Sequence, residues 1–501
     1  MKMGQTSCIV AKSYFIQFFL EELLTMKCAI IAVLWLFSLL PASAQQPVPP
    51  GSRWIDHLNK ELLPFWTSEA AFGKTPGAFP SIRCDDGTLY NERKPCPEIG
   101  NNKSPQERYL VALSRQSFGY GVAFHLTGNR AYLDSMKAGI DFIRQNAMDR
   151  TNGGMAPAQN LSKDTWGPAP GLRTPQQLGY GLLGMSFYYY LTRDPQVLGD
   201  ILAVKNYIFE KYSVSSGALQ WQLVFRVGAI REDMQLVAQL DQMNTYLILL
   251  APILPDEVQR EWKASLVKLA KVMIDQFYSP GEKLFFRSAN RPADKDLTTT
   301  PTDFGHSAKA LWMIRWTGLL TGNKDLVDFA QDNARSLLAR AYIADCGCWG
   351  DGVLPGGSVD INKSWWIYAE LNQLAGTLAL TDPKFRQYLP SAYEYWFTRF
   401  VDAEHGEVWN SVDGRTHLPV RKQPKQWEWK NAYHSFEHAL VGYIVGQSLN
   451  DKAVTLYYAF PTEAAAKSAQ PYYYSGKLTG AEEKVDGQGQ RTQKVTFTNV
   501  R

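Results

Sequence analysis

The chain alternates long apolar stretches with amphipathic ones, and short turn signals separate them. The turns recur as Leu126-Thr-Gly-Asn129, Leu191-Thr-Arg-Asp194, Leu320-Thr-Gly-Asn323 and Leu380-Thr-Asp-Pro383, with looser versions at Leu254-Pro-Asp256 and Leu449-Asn-Asp451. Each stands between two runs of helical period, and a glycine-containing turn follows most of the second runs. Six such helix-turn-helix units of about 60 to 65 residues predict an all-α (α/α)6 toroid, in which inner helices line a central cavity.

Both ends of the chain depart from this repeat. Residues 1–44 have the pattern of a secretory signal peptide, with Met26 as an alternative start, an apolar stretch from Ala29 to Leu40 and cleavage before Gln45. The toroid is then expected over residues 45–452. Residues 453–501 contain strand-like runs at 454–460, 472–474 and 495–498, which predict a small C-terminal β extension; the alternative is partial disorder.

Composition narrows the class of protein. The formal net charge is +4 and no block of Lys or Arg stands out, so nothing favours nucleic-acid binding. The apolar core of the leader is too short to span a bilayer, so we expect a secreted or periplasmic protein without a membrane anchor after cleavage. Aromatic residues make up 13% of the chain, which suits either a sugar-binding cleft or a large helical core. We expect a monomer or homodimer.

The cysteines of the mature chain are candidates for disulfide bonds. Four of them lie beyond the leader: Cys84, Cys96, Cys346 and Cys348. An oxidising compartment permits disulfides, and Cys84 with Cys96 would close a small loop. For Cys346 and Cys348 a tight bridge, two buried thiols or half of a metal site are the alternatives, and zinc is the least favoured because no second pair stands beside them.

The repeat also places candidate functional residues at equivalent positions of successive units. About 15 residues before the turn, the aligned position holds Gln177, His306, Trp366 and His434 in units two, four, five and six. One helical turn later it holds Arg115, Tyr180, Lys309 and Glu437, with Glu370 close by. Residues three apart share a helix face. These residues are therefore predicted to face the cavity; the alternative, that they are ordinary polar residues of helix starts, fits Ser, Thr, Asp and Asn better.

Two histidines belong to this aligned set. His306 follows Gly305 at the predicted start of a helix, and a near-neutral imidazole suits proton transfer. His434 lies two repeats further on, which is about a third of a turn around a six-fold ring. Both are therefore expected to reach one bound molecule from different sides, as inverting or relocating a proton requires. A hydrogen-bonded structural histidine is the alternative for either one.

Several motifs together resemble the N-acylglucosamine 2-epimerase family, which includes cellobiose 2-epimerases and mannose isomerases. They are Leu62-Leu-Pro-Phe-Trp66, the run from Arg108 through Ser114-Arg115 to Gly154, Gly305-His306, Lys363-Ser-Trp365-Trp366 to Glu370, and Trp429-Lys430 to Tyr433-His434. These motifs cover residues from about 54 to 450, and the combination is specific although each motif alone is weak.

The resemblance implies an aldose-ketose isomerase or sugar 2-epimerase that works through a cis-enediol or enediolate. His306 and His434 would be the general acid/base pair, and Arg115 would stabilise negative charge on the sugar. Trp365 or Trp366 would stack on the sugar, and Glu370 would bind hydroxyls or orient a histidine. The chemistry implied needs a mono- or oligosaccharide and no metal or other cofactor.

Four positions depart from the family pattern. Glu usually stands three residues after the first histidine and Arg three after the second, whereas here they are Lys309 and Glu437. We therefore expect a Lys309–Glu437 ion pair across the cavity. In the third unit, Gln235 and Ala238 stand where the family has a His and a Glu, so the usual substrates are not implied.

Other activities of the same toroid provide alternatives. A glycoside hydrolase needs two facing carboxylates, for which Glu370 and Glu437 are the candidates. A polysaccharide lyase would use Tyr433, His434 and Arg115. A catalytically silent sugar-binding protein is a third class. The sequence from His434 to His438 also matches the H-x-x-E-H pattern of zinc peptidases, but no convincing third ligand follows it.

Overall fold

Six apolar helices in the described part of the chain form a closed inner ring. The computed structural model describes residues 47–90, 96, 106–168, 170–223, 234–288 and 302–501, so the predicted leader lies outside the described residues. The helices, numbered here as the first to sixth inner helices, are Leu110–Thr127, Pro175–Thr192, a run of Leu236–Gln242, π-helical Met243–Leu247 and Ile248–Leu250, Phe304–Thr321, Trp365–Ala379 and Ala432–Leu449. Neighbours pack side by side, and the sixth packs on the first. Helices that are apolar all round must be surrounded by protein, and these are almost wholly buried.

An outer layer of amphipathic helices covers the ring. It consists of Arg130–Asn146, Pro195–Tyr212, Asp256–Phe277, Lys324–Ala341, the irregular run Pro383–Tyr388, Leu389–Tyr395 and Trp396–Phe400, and an N-terminal run of Gly51–Asp56, Leu63–Trp66 and the π-helical His57–Leu62 between them. The N-terminal run packs on the sixth inner helix. The (α/α)6 toroid is thereby confirmed, with one correction. The sixth unit is closed by the start of the chain, and the turn near Leu449 leads into a strand.

The recurrent turn motifs are helix boundaries. Gly128 and Gly322 adopt left-handed φ values of 73° and 69°, which end the first and fourth inner helices at little steric cost. The next residue in each turn, Asn129 or Asn323, accepts a backbone N–H with its side chain and so caps the following outer helix. Asp194 does the same in the second unit. One short motif therefore ends an inner helix and begins an outer one.

Short hairpins stand at the mouth of the ring where the inner helices begin. Their strands are Glu107–Tyr109, Ala158–Asn160, Thr165–Gly167, Tyr278–Ser279, Leu284–Phe285, Thr302–Asp303, Tyr342–Ile343, Cys348–Trp349, Gly352–Val353, Val359–Asp360, Lys363–Ser364 and Ser411–Val412. Short helical turns at Glu69–Phe72, Pro170–Leu172 and Glu463–Ala466 complete the helices. Several strands run directly into an inner helix, so they fix where its first turn lies.

The C-terminal residues form a three-stranded antiparallel sheet. Val454–Tyr458 and Lys477–Val485 pair with the two sides of Arg491–Thr498. Two of the predicted strand runs are confirmed, but residues 472–474 form a turn rather than a strand. That turn belongs to the tyrosine segment (residues 470–474), which enters the ring from the end where the inner helices finish. Its polar groups bind Tyr190, Thr377 and Glu437 of the inner helices, which an edge strand would not permit.

Both candidate cysteine pairs are bonded. Within the described residues, disulfides join Cys84 to Cys96 and Cys346 to Cys348, so the tight bridge is confirmed over free thiols or a metal site. Among the described helices, none has the length and apolar character that crossing a membrane requires.

Candidate active site

A cavity of about 150 Å³ opens at the mouth where the inner helices begin. Its lining comes from the first two turns of all six inner helices and from the loop before the sixth. The residues are Arg115, Gln176, Tyr180, Asp241, His306, Lys309, Trp365, Trp366, Trp429 and His434. Seven of the residues singled out from the sequence are thus brought together at one site.

His306 is oriented by the residue that caps its helix. Asp303 accepts the backbone N–H of His306 with one carboxylate oxygen at 2.7 Å and faces His306 Nδ1 with the other at 2.7 Å. Burial acts to raise the pKa of Asp303, but its pairing with His306 keeps that pKa below the ordinary value. A carboxylate therefore holds Nδ1–H, and Nε2 is the nitrogen left for the cavity. The ring also lies 4.8 Å from that of Trp366.

His434 occupies a much drier place on the sixth inner helix. Its side chain is 5% exposed, and Nδ1 lies 3.4 Å from Glu370 Oε1. Burial lowers the pKa of His434 well below its ordinary value, and the cations Arg115 and Lys309 add to this effect. The imidazole is therefore neutral at pH 7, which is the form that removes a proton.

The sixth residue of every inner helix is buried at or just beneath the cavity, and four of the six line it. In order around the ring these residues are Arg115, Tyr180, Asp241, Lys309, Glu370 and Glu437. We call them the charged layer. All but Asp241 were identified from the sequence. Asp241 was missed because the third inner helix contains the π-helical run Met243–Leu247, so counting back from the turn near Leu254 passes it by.

Lys309 pairs with Asp241 and not with Glu437. Lys309 Nζ lies 3.1 Å from Asp241 Oδ1, 4.0 Å from Glu370 Oε1 and 3.2 Å from the Tyr180 hydroxyl. Although burial acts to lower it, these partners, Asp241 first, raise the pKa of Lys309 above its ordinary value. The expected Lys309–Glu437 ion pair is wrong: among the described residues, the carboxylates within 4 Å of Lys309 are the other two. The ammonium takes the partner on the neighbouring helix.

The surroundings of the two glutamates in the charged layer, Glu370 and Glu437, raise the pKa of both carboxyl groups. Burial, reinforced by the charge of Glu437, raises the pKa of Glu370 to about 8, and Lys309 offsets part of this rise. Burial also raises the pKa of Glu437, although Tyr472 donates a hydrogen bond of 2.6 Å to its Oε1. Trp312 Nε1 donates to Glu370 Oε2 at 3.0 Å. With the pKa of Glu370 raised to about 8, the pair carries less than two full negative charges at neutral pH.

Ligand atoms of Glu370, His434 and Glu437 come within 4.8 Å of one another, a spacing that metal ions use. Lys309, however, already supplies a positive charge 4.0 Å from Glu370, and the Tyr472 hydroxyl binds Glu437. A divalent cation would meet that ammonium at short range. The donor set therefore fits hydrogen bonding and proton sharing better than metal binding.

Arg115 presents a cation without a carboxylate. Its guanidinium carbon lies 3.9 Å from the ring centroid of Tyr180 and 5.3 Å from those of Trp429 and Tyr433. One Nη donates to the backbone carbonyl of Trp429, whereas Nε is buried without a partner. Within the described residues no carboxylate oxygen lies within 4 Å of the guanidinium, in contrast to Lys309. This charge is free to act on a bound molecule.

Four predicted site residues lie outside the lining, and one of them, Glu370, is buried beside His434. Gln177 forms a capping box with Thr174, and its neighbour Gln176 reaches the cavity and donates to Asp241 at 2.8 Å. Tyr433 is buried and donates to Asn244 at 3.0 Å. Glu437 lies deeper, against the tyrosine segment. The repeat did not identify Gln176 or Trp429 as site residues. Gln176 lies one residue before the aligned position, and Trp429 lies in the loop before the sixth inner helix.

These positions bear on the alternative chemistries. Glu370 and Glu437 lie beneath the cavity on neighbouring helices, so they do not face each other across it as a hydrolase pair would. The buried Tyr433 hydroxyl is engaged with Asn244 and lies outside the lining, so this tyrosine is not placed to act as a lyase base. His438 Nε2 faces the Asn372 amide at 3.1 Å, and the ring packs 4.4 Å from Trp396. The H-x-x-E-H pattern is therefore a structural coincidence.

The chain is similar in sequence to characterised sugar epimerases. No family model matches it. A cellobiose 2-epimerase from Ruminococcus albus is 23% identical over 350 residues, which are 66% of this chain and 85% of that protein. A second R. albus cellobiose 2-epimerase is 22% identical over 348 residues, again 66% of this chain and 85% of that protein.

Solved structures show the same architecture. A cellobiose 2-epimerase from Bacillus thermoamylovorans superposes with a TM-score of 0.66 at 16% identity, covering 79% of this chain and 98% of that structure. A D-mannose isomerase superposes with a TM-score of 0.63 at 15% identity, covering 78% and 97%. The two sequence relatives confirm the resemblance to the epimerase family and indicate a carbohydrate epimerase or isomerase, and the solved structures confirm the fold.

Proposed function

We propose that this protein is a sugar 2-epimerase or aldose-ketose isomerase that moves a proton with two histidines. The observation that carries the proposal is that His306 and His434, from the fourth and sixth inner helices, border one cavity with Arg115 between aromatic rings. The volume of about 150 Å³ is below the ~300–1,000 Å³ of typical ligand pockets. It suits a single sugar unit, the one at the reducing end.

Each residue would have a distinct role in the reaction. Neutral His434 takes the proton from C2 of the open-chain sugar, and the electron pair moves toward the carbonyl oxygen to form an enediolate. Arg115 meets the negative charge that develops on that oxygen. His306, oriented by Asp303, stands at the other side to exchange a proton. Return of a proton to the opposite face of C2 restores the aldehyde and gives the epimer. Return to C1, with transfer of the O2 proton to O1, gives the ketose.

Aromatic side chains would hold the sugar for this chemistry. Trp365, Trp366 and Trp429 all line the cavity, and flat aromatic faces stack on the C–H faces of sugar rings. Trp366 lies near both histidine rings, at 4.8 Å from His306 and 6.1 Å from His434. A sugar stacked there is within reach of both bases.

The same proposal includes the place of action. The two disulfides support an oxidising compartment outside the cytoplasm, as the predicted leader does. The protein would then act on free sugars in the periplasm or medium.

Proton exchange in heavy water tests the proposed function. The protein is incubated in D2O with a panel of reducing sugars that includes cellobiose and mannose, and the C2–H signal is followed by proton NMR. We expect loss of that signal for at least one sugar, and a rate lower by about 10²–10⁴-fold in His434→Gln. His405→Ala removes an imidazole away from the cavity and serves as the matched control. Sugar binding without any exchange would instead indicate a silent sugar-binding protein.

A further inference from the structure

The tyrosine segment (residues 470–474) reaches the charged layer from below. The Tyr472 hydroxyl donates to Glu437 Oε1 at 2.6 Å, and its backbone N–H donates to the Tyr190 hydroxyl at 2.8 Å. The ring is buried, 5.8 Å from that of Phe187 and 3.9 Å from that of Tyr473. The segment is therefore anchored by its backbone and its rings, and the Tyr472 hydroxyl is one group it offers to a carboxylate.

Glu437 connects this hydroxyl to the proposed base. The charge of Glu437 raises the pKa of Glu370, and Glu370 Oε1 lies 3.4 Å from Nδ1 of His434. A hydrogen bond to the ionised form of an acid favours that form. Tyr472 therefore acts on how protons are shared between Glu437 and Glu370, and Glu370 in turn faces the imidazole.

We propose that Tyr472 is a positioning residue of the active site, so that the C-terminal extension sets the proton distribution on which His434 depends. This inference rests on the proposed function. The groups that face Glu437 are Tyr433 on its own helix, Arg115, Lys309 and Glu370 on other inner helices, and Tyr472, Tyr473 and Tyr474 of the extension. Tyr472 donates a hydrogen bond of 2.6 Å to the Glu437 carboxylate.

Removing the Tyr472 hydroxyl should shift the pKa of His434 in a definite direction. In Tyr472→Phe the Glu437 carboxylate loses the hydrogen bond from Tyr472, so a proton is held more readily on Glu437. A neutral Glu437 no longer opposes ionisation of Glu370, and an ionised Glu370 beside Nδ1 favours the imidazolium of His434. The pKa of His434 therefore rises in the variant, and the base becomes protonated at a higher pH.

The test compares two tyrosines of the same segment. Tyr474→Phe is the matched control, because its hydroxyl is also buried but bonds the Thr377 hydroxyl at 2.9 Å instead of a carboxylate. We expect Tyr472→Phe to move the acid limb of the pH–rate profile for C2 exchange up by about one pH unit, a tenfold change in the protonation constant. KM should change little. Tyr474→Phe should keep the wild-type profile even if its unfolding temperature falls.

A second measurement separates this inference from the proposed function. The His434 imidazole is titrated by ¹⁵N NMR in the wild type and in both variants, which needs no substrate. A higher His434 pKa in Tyr472→Phe alone supports the coupling, even if no sugar in the panel exchanges. Identical His434 titrations and pH profiles in the wild type and Tyr472→Phe would overturn the inference, as would equal shifts in Tyr474→Phe.

Discussion

Replacing Asp241 by asparagine tests the electrostatics of the charged layer. Asp241 Oδ1 lies 3.1 Å from Lys309 Nζ, and the two side chains are 2% and 3% exposed. Removing one partner of a buried ion pair costs about 3–5 kcal/mol, because the other charge remains buried without compensation. Lys309 keeps the Tyr180 hydroxyl at 3.2 Å and Glu370 at 4.0 Å. We therefore expect Asp241→Asn to lower the free energy of unfolding by about 3 kcal/mol, the lower end of that range.

A double-mutant cycle measures the pair itself. Equilibrium unfolding in urea at pH 7 is compared for the wild type, Asp241→Asn, Lys309→Met and the double variant. Removing both charges of a buried pair is often nearly neutral, so the double variant should be about 2–3 kcal/mol more stable than the sum of the single effects predicts. A loss below about 1 kcal/mol in Asp241→Asn, the level of an exposed pair, would refute the reasoning, as would simple additivity in the cycle.

Three further changes have definite expected outcomes. Arg115→Met should slow C2 exchange by about 10²–10³-fold, because it removes a cation that has no carboxylate partner. An unchanged exchange rate would show that Arg115 has no role in the reaction. Burial lowers the pKa of His125 to about 3 from an ordinary 6.5, so protonation of the unfolded chain destabilises the wild type as pH falls through this window. Urea unfolding at pH 6, 5 and 4 should show the stability difference from His125→Phe shrinking by about 1.4 kcal/mol per pH unit, and a constant difference would contradict it. Replacing Cys84 and Cys96, 12 residues apart, by serine should cost about 3 kcal/mol in the same assay.

Local signals account for what the sequence predicted well. The glycine and asparagine of each turn have conformational and capping preferences of their own, so they marked the ends of inner and outer helices without any knowledge of the ring. The same spacing placed Arg115, Lys309, His306 and His434 on the cavity side of the first, fourth and sixth inner helices. A strict repeat transfers phase from unit to unit, and the cavity residues follow from it.

What the sequence did not predict depends on contacts between distant segments. Asp241 lies in a helix with a π-helical run, which shifts the phase that the other helices keep. The N-terminal run Gly51–Asp56 completes the ring beside the sixth inner helix, a pairing that no local pattern contains. Tyr472 has the β-favouring character of a strand residue, but its hydroxyl meets Glu437 inside the ring, and tertiary contacts override that preference.

The two-base mechanism is tested most directly by separating the two half-reactions. The two sugars that the wild type interconverts are incubated singly in D2O with His306→Gln and with His434→Gln, and deuterium incorporation is followed without turnover. If each histidine serves one face or one carbon, each variant should still exchange one of the two sugars, and the two variants should retain opposite ones. Loss of exchange from both sugars in one variant, with full activity in the other, would contradict the account.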